Sequence, residues 1–502
     1  MTTDSVTTDS VTTNSVTTNS VTRHRWWALG ILALAQLTDV MDVTIINIAL
    51  PRAQADLGFS DLQRQWIVTA YALSFGALLL TGGRLADRFG ARRTLLVGLV
   101  GFAAASVVGG LAQNFTVLVT GRAFQGASGA LLAPAVLSLL NQIFTKPAER
   151  RRAFAVFGAV TGAGGAVGLV LGGVLTEHLN WRWGMYVNVP IVAVVLIASV
   201  FLLRSTKPSD PVPVNLSSAV VAAVGLGLLV YGFDHAGSAG WGDAGALTLI
   251  GAGVVATTLF VLIQARSSAP LLPLRIVADR KRGAALVAVA LTPVAMFSMF
   301  LFIVYYLQQV LGFSPLQSGV SFLPLLGGVV VGAVTASAKP FTRIPAAAAF
   351  AAAALVGAFG LAWLTLLPDY GRYWPHIGPG LIIAGLGVGV ILALATNMAT
   401  AGVAERDTGV ASALVSALPQ IGGALGVALL NAIAAETTTS RLHAIDRPTQ
   451  QDVLSATVSG FTNAFFTGAM ILVAVGIIAA FLLLRTKKAE DAPVLATATK
   501  EG

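Results

Sequence analysis

Residues 26–51 read WWALGILALAQLTDVMDVTIINIALP, and this stretch decides the fold class. It exceeds the roughly 20 residues that a helix needs to cross the hydrocarbon core of a bilayer. Asp39 and Asp42 interrupt the apolar run near its middle. We therefore predict a membrane span, and the two acids within it require a reason, because charge is costly inside a membrane.

The composition of the whole chain extends this prediction. Apolar residues make up 56% of the 502 residues and charged residues only 11%, against roughly 25% charged residues in an average soluble domain. Because so little polar surface could not cover a water-soluble particle, we predict an all-α polytopic membrane protein. Cysteine is absent and histidine is scarce, which argues against thiolate sites and zinc. We expect no metal and no cofactor.

Fourteen apolar runs of membrane length follow one another along the chain. They are expected to begin near Trp26, Trp66, Thr94, Phe115, Ala153, Trp183, Val214, Ala244, Gly283, Ser318, Pro345, His376, Thr408 and Thr457. Longer loops bracket the seventh and eighth runs. This spacing predicts two six-helix bundles with two additional helices inserted between them, an arrangement that is common among carriers.

The expected organisation has five parts. Residues 1–22 contain pentapeptide repeats without apolar surface and are predicted to be a disordered tail. Residues 23–203 are the first bundle, residues 204–282 the inserted pair with its loops, residues 283–485 the second bundle, and residues 486–502 a second tail.

The positive charges predict the orientation. The chain has 31 Lys and Arg residues, and the alternation of fourteen spans places all but seven of them on the side of both termini. The exceptions are Arg122, within a span, and six loop residues: Arg52, Arg64, Arg182, Arg372, Arg441 and Arg447. This bias puts both termini in the cytoplasm. The net charge of +9 then reflects topology, and we expect no nucleic-acid partner.

Three charged residues lie within the predicted spans. Asp39 and Asp42 are three residues apart and share one helical face. Arg122, in the fourth span, is the expected partner of opposite sign. Two carboxylates and one guanidinium leave one negative charge unbalanced, so the group should bind a proton or a cation near neutral pH. Alternatively, the acids cap or hydrogen-bond neighbouring helices, and Arg122 forms a purely structural ion pair.

Other polar residues in the spans are candidates for lining a substrate cavity, although such a residue more often forms a hydrogen bond between helices. They are Asn47, Tyr71, Gln125, Asn188, Asn397 and Gln420.

Two glycine-containing segments predict moving parts. Residues 83–93 combine turn-forming glycines with an acid and several arginines, which could form a charged latch: Gly83, Asp87, Arg88, Gly90 and Arg92. The alternative is positive-inside charge alone. The fifth span has glycines at spacings that let helices approach closely or rock: Gly164, Gly168, Gly172 and Gly173. Static close packing is the alternative there.

Four motifs together resemble those of the major facilitator superfamily, in particular its fourteen-span drug:proton antiporters. Residues 83–93 resemble the cytoplasmic loop signature, and residues 42–51 resemble the first-span motif. Residues 122–126 resemble the fourth-span motif linked with proton transfer, and the glycines of the fifth span resemble the antiporter motif. The resemblance covers about residues 26–484.

The resemblance implies a major facilitator-type fold and a role for several residues. Asp42 would be the carboxylate that couples proton and substrate, and Arg122 would be its partner. Asp87 would contact an opposing helix end and hold one conformation.

The resulting hypothesis is a secondary transporter of the bacterial inner membrane that acts as a monomer. It would export hydrophobic drugs or antibiotics, including cationic ones, in exchange for protons. The alternative is a proton-coupled exporter dedicated to one endogenous metabolite, lipid or siderophore. An enzyme is not expected, because the sequence has neither a catalytic cluster nor a nucleotide-binding loop.

Overall fold

A computed structural model describes residues 9–203, 216–267, 270, 272, 274–338, 343–368, 372–401, 403 and 408–490. Fourteen helices in this part of the chain are long and apolar enough to cross a membrane, as the sequence predicts. The described residues contain no β-strand.

The first half of the chain forms six of these spans, and the sixth is divided by a short break. Its helices are α1 (Asp9–Leu57), α2 (Asp61–Phe89), α3 (Ala91–Gly110), α4 (Phe115–Ile143), α5 (Pro147–His178), α6 (Trp183–Tyr186) and α7 (Asn188–Leu202). Within this half, α4 packs along α2 and α3, and α1 packs along α5.

Two helices follow as an inserted pair, α8 (Leu216–Ala239) and α9 (Ala244–Arg266). They pack on each other, and α8 also packs on α2 of the first half and on a helix of the second half. The Asp234 carboxylate accepts a hydrogen bond of 2.5 Å from the Gln65 amide of α2. Asp243 caps α9, and the hydrogen bond donated by the Ala246 backbone N–H holds the pKa of Asp243 below its usual value.

The second half forms the last six spans. Its helices are α10 (Leu274–Ala278), α11 (Arg280–Tyr305), α12 (Pro315–Ser321), α13 (Leu323–Ser337), α14 (Ala346–Leu364), α15 (Tyr373–His376), α16 (Gly378–Thr400), α17 (Thr408–His443) and α18 (Gln450–Glu490). A π-helical turn, Tyr306–Val310, extends α11. The helix α16 packs along α13 and α14, and α11 packs along α17 and α18.

Several predicted boundaries differ from the observed ones. The seventh span was expected near Val214, which lies outside the described residues, and its helix begins at Leu216. The last helix begins at Gln450, seven positions before the expected Thr457, because its polar first turn is capped by hydrogen bonds between Thr449 and Asp452.

The two tails and the division of the chain into bundles remain predictions. The backbone of residues 9–22, expected to be disordered, continues helix α1. The part of α1 that is apolar enough to span a membrane begins at Arg25. Residues 1–8 and 491–502 lie outside the described residues.

The most extensive apolar contact between the halves lies toward one face of the protein. We call the face at which α1 begins its span at Arg25 the terminal face, and the other face the opposite face. The largest apolar cluster combines residues of both halves, from Ile46 and Phe59 in the first to Phe302 and Phe461 in the second. The remaining clusters belong to the separate halves, apart from one residue of α17. The interior is therefore closed toward the opposite face.

Polar contacts reinforce this closure. Arg64 of α2 stacks on the Tyr305 ring of α11, with its guanidinium carbon 4.2 Å from the ring centroid. The Tyr305 hydroxyl donates a hydrogen bond of 2.5 Å to Gln54 of α1. The Leu316 backbone N–H of α12 donates a hydrogen bond of 3.1 Å to the Glu177 carboxylate of α5. Each of these contacts joins a first-half helix to a second-half helix.

Candidate functional site: a buried charge cluster between α1, α2 and α4

The helices α1, α2 and α4 come close together where the charged residues of the spans lie, because glycines leave room. A Cβ atom at Gly126 of α4 would lie 2.2 Å from the Tyr71 carbonyl oxygen of α2. A Cβ atom at Gly129, one turn later on α4, would lie 2.8 Å from a carboxylate oxygen of Asp39. Real Cβ atoms do not approach so closely, so side chains at these positions would push the three helices apart.

Arg122 and Asp42 form an ion pair in this region. The Arg122 Nη1 donates to Asp42 Oδ2, and both side chains are fully buried. Asp42 Oδ1 accepts a hydrogen bond of 3.0 Å from the Gln125 amide and one of 2.6 Å from the Asn188 amide. Asp42 thus has a cationic partner and two neutral donors, so its negative charge is compensated.

The Arg122 guanidinium is held from further sides. Its Nε donates to the Ile67 carbonyl oxygen at 3.1 Å, and its Nη1 also donates to Gln125 Oε1 at 2.9 Å. The guanidinium carbon lies 4.6 Å from the centroid of the Tyr71 ring, in a cation–π contact. Arg122 Nη2 is buried without a hydrogen-bond partner among the described residues.

Asp39 lies next to this pair but has a different environment. Its Oδ1 accepts a hydrogen bond from the Tyr71 hydroxyl, and its Oδ2 accepts one of 3.1 Å from the Gln36 amide. Its hydrogen-bond partners in the described structure are both neutral. Asp39 is 6% exposed, whereas Asp42 and Arg122 are 0% exposed.

We call Asp39, Asp42, Tyr71, Arg122 and Gln125 the charge cluster. It contains two carboxylates and one guanidinium, as predicted from the sequence. An uncompensated charge at the centre of a bilayer costs from about 3 to more than 10 kcal/mol, depending on the measurement. The charge cluster can lower this cost by binding one proton or one cationic group, so it is chemically suited to exchange the two.

The candidates for lining a cavity fall into two groups. Tyr71, Gln125 and Asn188 bind the carboxylates of Asp39 and Asp42 directly, which the sequence did not predict. These contacts could not be predicted because the three residues lie far along the chain from the carboxylates that they bind. Asn47 donates to the Val43 carbonyl oxygen of its own helix, Asn397 is exposed, and Gln420 is half-buried.

Three further polar contacts were not predicted from the sequence. Gln36 binds Asp39, and the spacing of three residues on one helical face could have indicated it. The Ser106 hydroxyl accepts from Gln125 at 2.8 Å. Arg64 joins the two halves at the opposite face by stacking on the Tyr305 ring. Because Arg64 lies near a loop, nothing in the sequence distinguished it from a solvated arginine.

The predicted latch has only part of its expected contacts. Gly90 has φ of +92° and joins α2 to α3 without a linker, which favours glycine. Arg92 donates to the Val200 carbonyl oxygen at 2.8 Å, and Arg88 lies over the Phe89 ring. Asp87 is exposed, and in the described part of the chain it makes no hydrogen bond or ion pair. Its contact with an opposing helix stays a prediction.

The glycines of α5 contact two different partners. A Cβ atom at Gly168 would lie 2.9 Å from the Met41 carbonyl oxygen of α1, and one at Gly172 would lie 2.8 Å from Ile45 Cα of α1. A Cβ atom at Gly173 would instead lie 2.6 Å from Leu316 Cα in the second half. Gly164 faces Leu37 and Val40 of α1. The four glycines therefore serve packing within the first half and closure of the opposite face.

An apolar cavity of about 370 Å³ lies between α1 and α5, toward the terminal face. It is lined by Trp26, Leu29, Gly30, Ala33, Leu34, Leu37, Val156 and Val160. Its volume is within the range of small-molecule sites, roughly 300–1,000 Å³. The described residues contain no group of His, Asp and Glu that could hold a metal ion.

Comparison with known families gives the context of this geometry. Residues 32–427 match the family model described as Major Facilitator Superfamily. The chain belongs to the Major Facilitator Superfamily. It is 44% identical to the puromycin resistance protein of Streptomyces alboniger over 90% of both chains. It is 37% identical to the cephamycin export protein of Amycolatopsis lactamdurans over 80% of this chain and 84% of that protein.

Solved structures agree with the assignment of the fold. A bacterial homologue of the human lysosomal transporter Spinster, in an inward-facing and unoccupied conformation, superposes with a TM-score of 0.68. The match covers 93% of this chain and 98% of that chain, at 17% identity. The major facilitator fold with fourteen spans is thereby confirmed. The protein is a membrane transporter of small molecules, since its family and relatives are transporters and not enzymes.

Proposed function

We propose that this transporter exports hydrophobic drugs or antibiotics, including cationic ones, in exchange for protons by alternating access. Relatives named for resistance or export support the drug-export part. One observation carries the exchange part: the charge cluster holds two carboxylates against one guanidinium. Protons and substrate would compete for the unmatched negative charge, and each bound form would favour a different arrangement of the halves.

The terminal face is cytoplasmic in this proposal, and both tails lie there. The distribution of Lys and Arg over the loops supports this orientation. The transporter acts as a monomer in the inner membrane of a bacterium. Since the halves are joined at the opposite face, substrate would enter from the cytoplasm in the conformation described.

Uptake into inside-out membrane vesicles tests the proposal. A pH gradient, acid inside, should drive puromycin or another member of a panel of lipophilic cations and uncharged antibiotics into vesicles that contain the protein. A protonophore should abolish this uptake, and vesicles without the protein should show only the passive trapping of weak bases in an acidic lumen. Uptake that is indifferent to the gradient would contradict proton exchange. Failure to transport any member of the panel would contradict drug export and favour a dedicated metabolite exporter.

A further inference from the structure

The two acids of the charge cluster have unequal partners. Asp42 accepts from a guanidinium and two amides, whereas the donors to Asp39 among the described residues are one hydroxyl and one amide. The charged and titratable groups that act on Asp39 are Asp42 of its own helix, Tyr71 of α2 and Arg122 of α4. The guanidinium of Arg122 is already paired with Asp42. The unmatched negative charge of the cluster is therefore that of Asp39.

Tyr71 connects Asp39 to the ion pair of Asp42 and Arg122. Its ring lies against the Arg122 guanidinium and its hydroxyl binds Asp39. Asp39 is also one helical turn closer to the terminal face than Asp42, and it is the more exposed of the two. Its second partner, Gln36, is half-buried, one further turn toward that face. Asp39 is thus the acid of the cluster that water can reach with least rearrangement.

We infer that Asp39, rather than Asp42, carries the exchanged proton. Tyr71 is the positioning residue that determines how tightly the Asp39 carboxyl binds this proton. The inference rests on the proposed proton exchange and assigns it to one carboxyl. In the conformation described, Asp39 is neutral and Asp42 stays charged with Arg122. On exchange, the O–H bond of the Asp39 carboxyl breaks and the proton passes to water at the terminal face. The remaining carboxylate is then compensated by a cationic substrate.

Two variants separate the acids, because each removes a hydrogen bond from one of them. Tyr71→Phe keeps the ring beside Arg122 and removes the hydroxyl that binds Asp39. Asn188→Ala removes an amide that binds Asp42. Infrared difference spectra of the purified protein, recorded during a pH titration, report the carbonyl band of a protonated carboxyl. The measurement does not require transport, so it is independent of the vesicle experiment.

The loss of a donor destabilises the charged form of a carboxyl. In Tyr71→Phe the band should therefore change frequency and persist to a pH about one unit higher, since a hydrogen bond to a charged group is worth about that much. In Asn188→Ala both properties should stay as in the wild type. Gln36→Leu, which removes the other donor to Asp39, should behave like Tyr71→Phe. It provides an independent test if the Tyr71→Phe protein does not fold.

Any other pattern overturns the inference. A band that moves in Asn188→Ala assigns the proton to Asp42, and a band unmoved in Tyr71→Phe and Gln36→Leu removes Asp39 from the exchange. Failure of the proposed function looks different: wild-type vesicles would show no gradient-driven uptake, whatever the spectra show.

Discussion

Asp42→Asn is expected to abolish transport driven by a pH gradient and to lower the stability of the protein. The substitution keeps the size of the side chain but leaves the Arg122 guanidinium buried without its anion. Breaking a buried ion pair by removing one partner costs about 3–5 kcal/mol. Asp39 could supply the missing negative charge only by giving up its proton permanently. Whether Arg122 stays unpaired or pairs with a permanently ionised Asp39, the charge cluster no longer exchanges a proton.

A double variant distinguishes these effects. Asp42→Asn with Arg122→Gln removes both charges, so it should recover much of the thermal stability that the single variant loses. It should also recover part of the gradient-driven uptake, because Asp39 is again a carboxylate without a compensating cation and can exchange a proton. Thermal unfolding and vesicle uptake measure the two properties separately. Wild-type uptake by the Asp42→Asn protein would contradict the role of the pair.

Gly173→Ala is expected to shift the protein away from the conformation in which the opposite face is closed. Its Cβ atom would lie 2.6 Å from Leu316 Cα and 2.9 Å from the Pro315 carbonyl oxygen, both in the backbone of α12. Overpacking of this kind costs about 1–3 kcal/mol, which corresponds to about 5- to 150-fold in the ratio of open to closed protein. The cost falls on the contact between halves, so each half should remain folded.

The absence of cysteine makes this shift measurable. Ser318 of α12 is fully buried at the opposite face, so a cysteine introduced there should react slowly with a membrane-impermeant thiol reagent. Adding Gly173→Ala should accelerate labelling. Gly158→Ala is the matched control on the same helix, because a Cβ atom there has no neighbour within 4 Å. Equal labelling rates in the two variants would show that Gly173 does not seal this face.

The sequence predicted the elements whose physical signal is local. Fourteen spans follow from runs of apolar residues, and Asp39, Asp42 and Arg122 were singled out because charge inside a membrane needs a reason. The partners of these residues could not be predicted in the same way. Which amide reaches Asp42 depends on how α1, α4 and α7 pack, and Asn188 lies far along the chain from Asp42. The sequence identified Asn188 as a polar residue in a span but did not indicate its role.

The conformation of the protein could not be predicted from the sequence either. Arg64 and Tyr305 belong to helices of different halves, and their contact exists only where those halves meet. Gly172 and Gly173 are adjacent in the sequence and look equivalent, yet one packs on α1 and the other on α12. A helix turns by about 100° per residue, so neighbouring glycines can face different helices, and only the tertiary structure shows which ones.

Release of protons on substrate binding tests the central claim most directly. Purified protein in weakly buffered detergent solution, with a pH indicator, is mixed with puromycin or with another compound transported by the vesicles. The account predicts that binding acidifies the solution, and that Asp39→Asn, a neutral analogue of the protonated acid, binds a cationic compound more weakly than the wild type and releases no proton. Binding by the wild-type protein with no proton release, at every pH at which the protein is stable, would contradict exchange at the charge cluster.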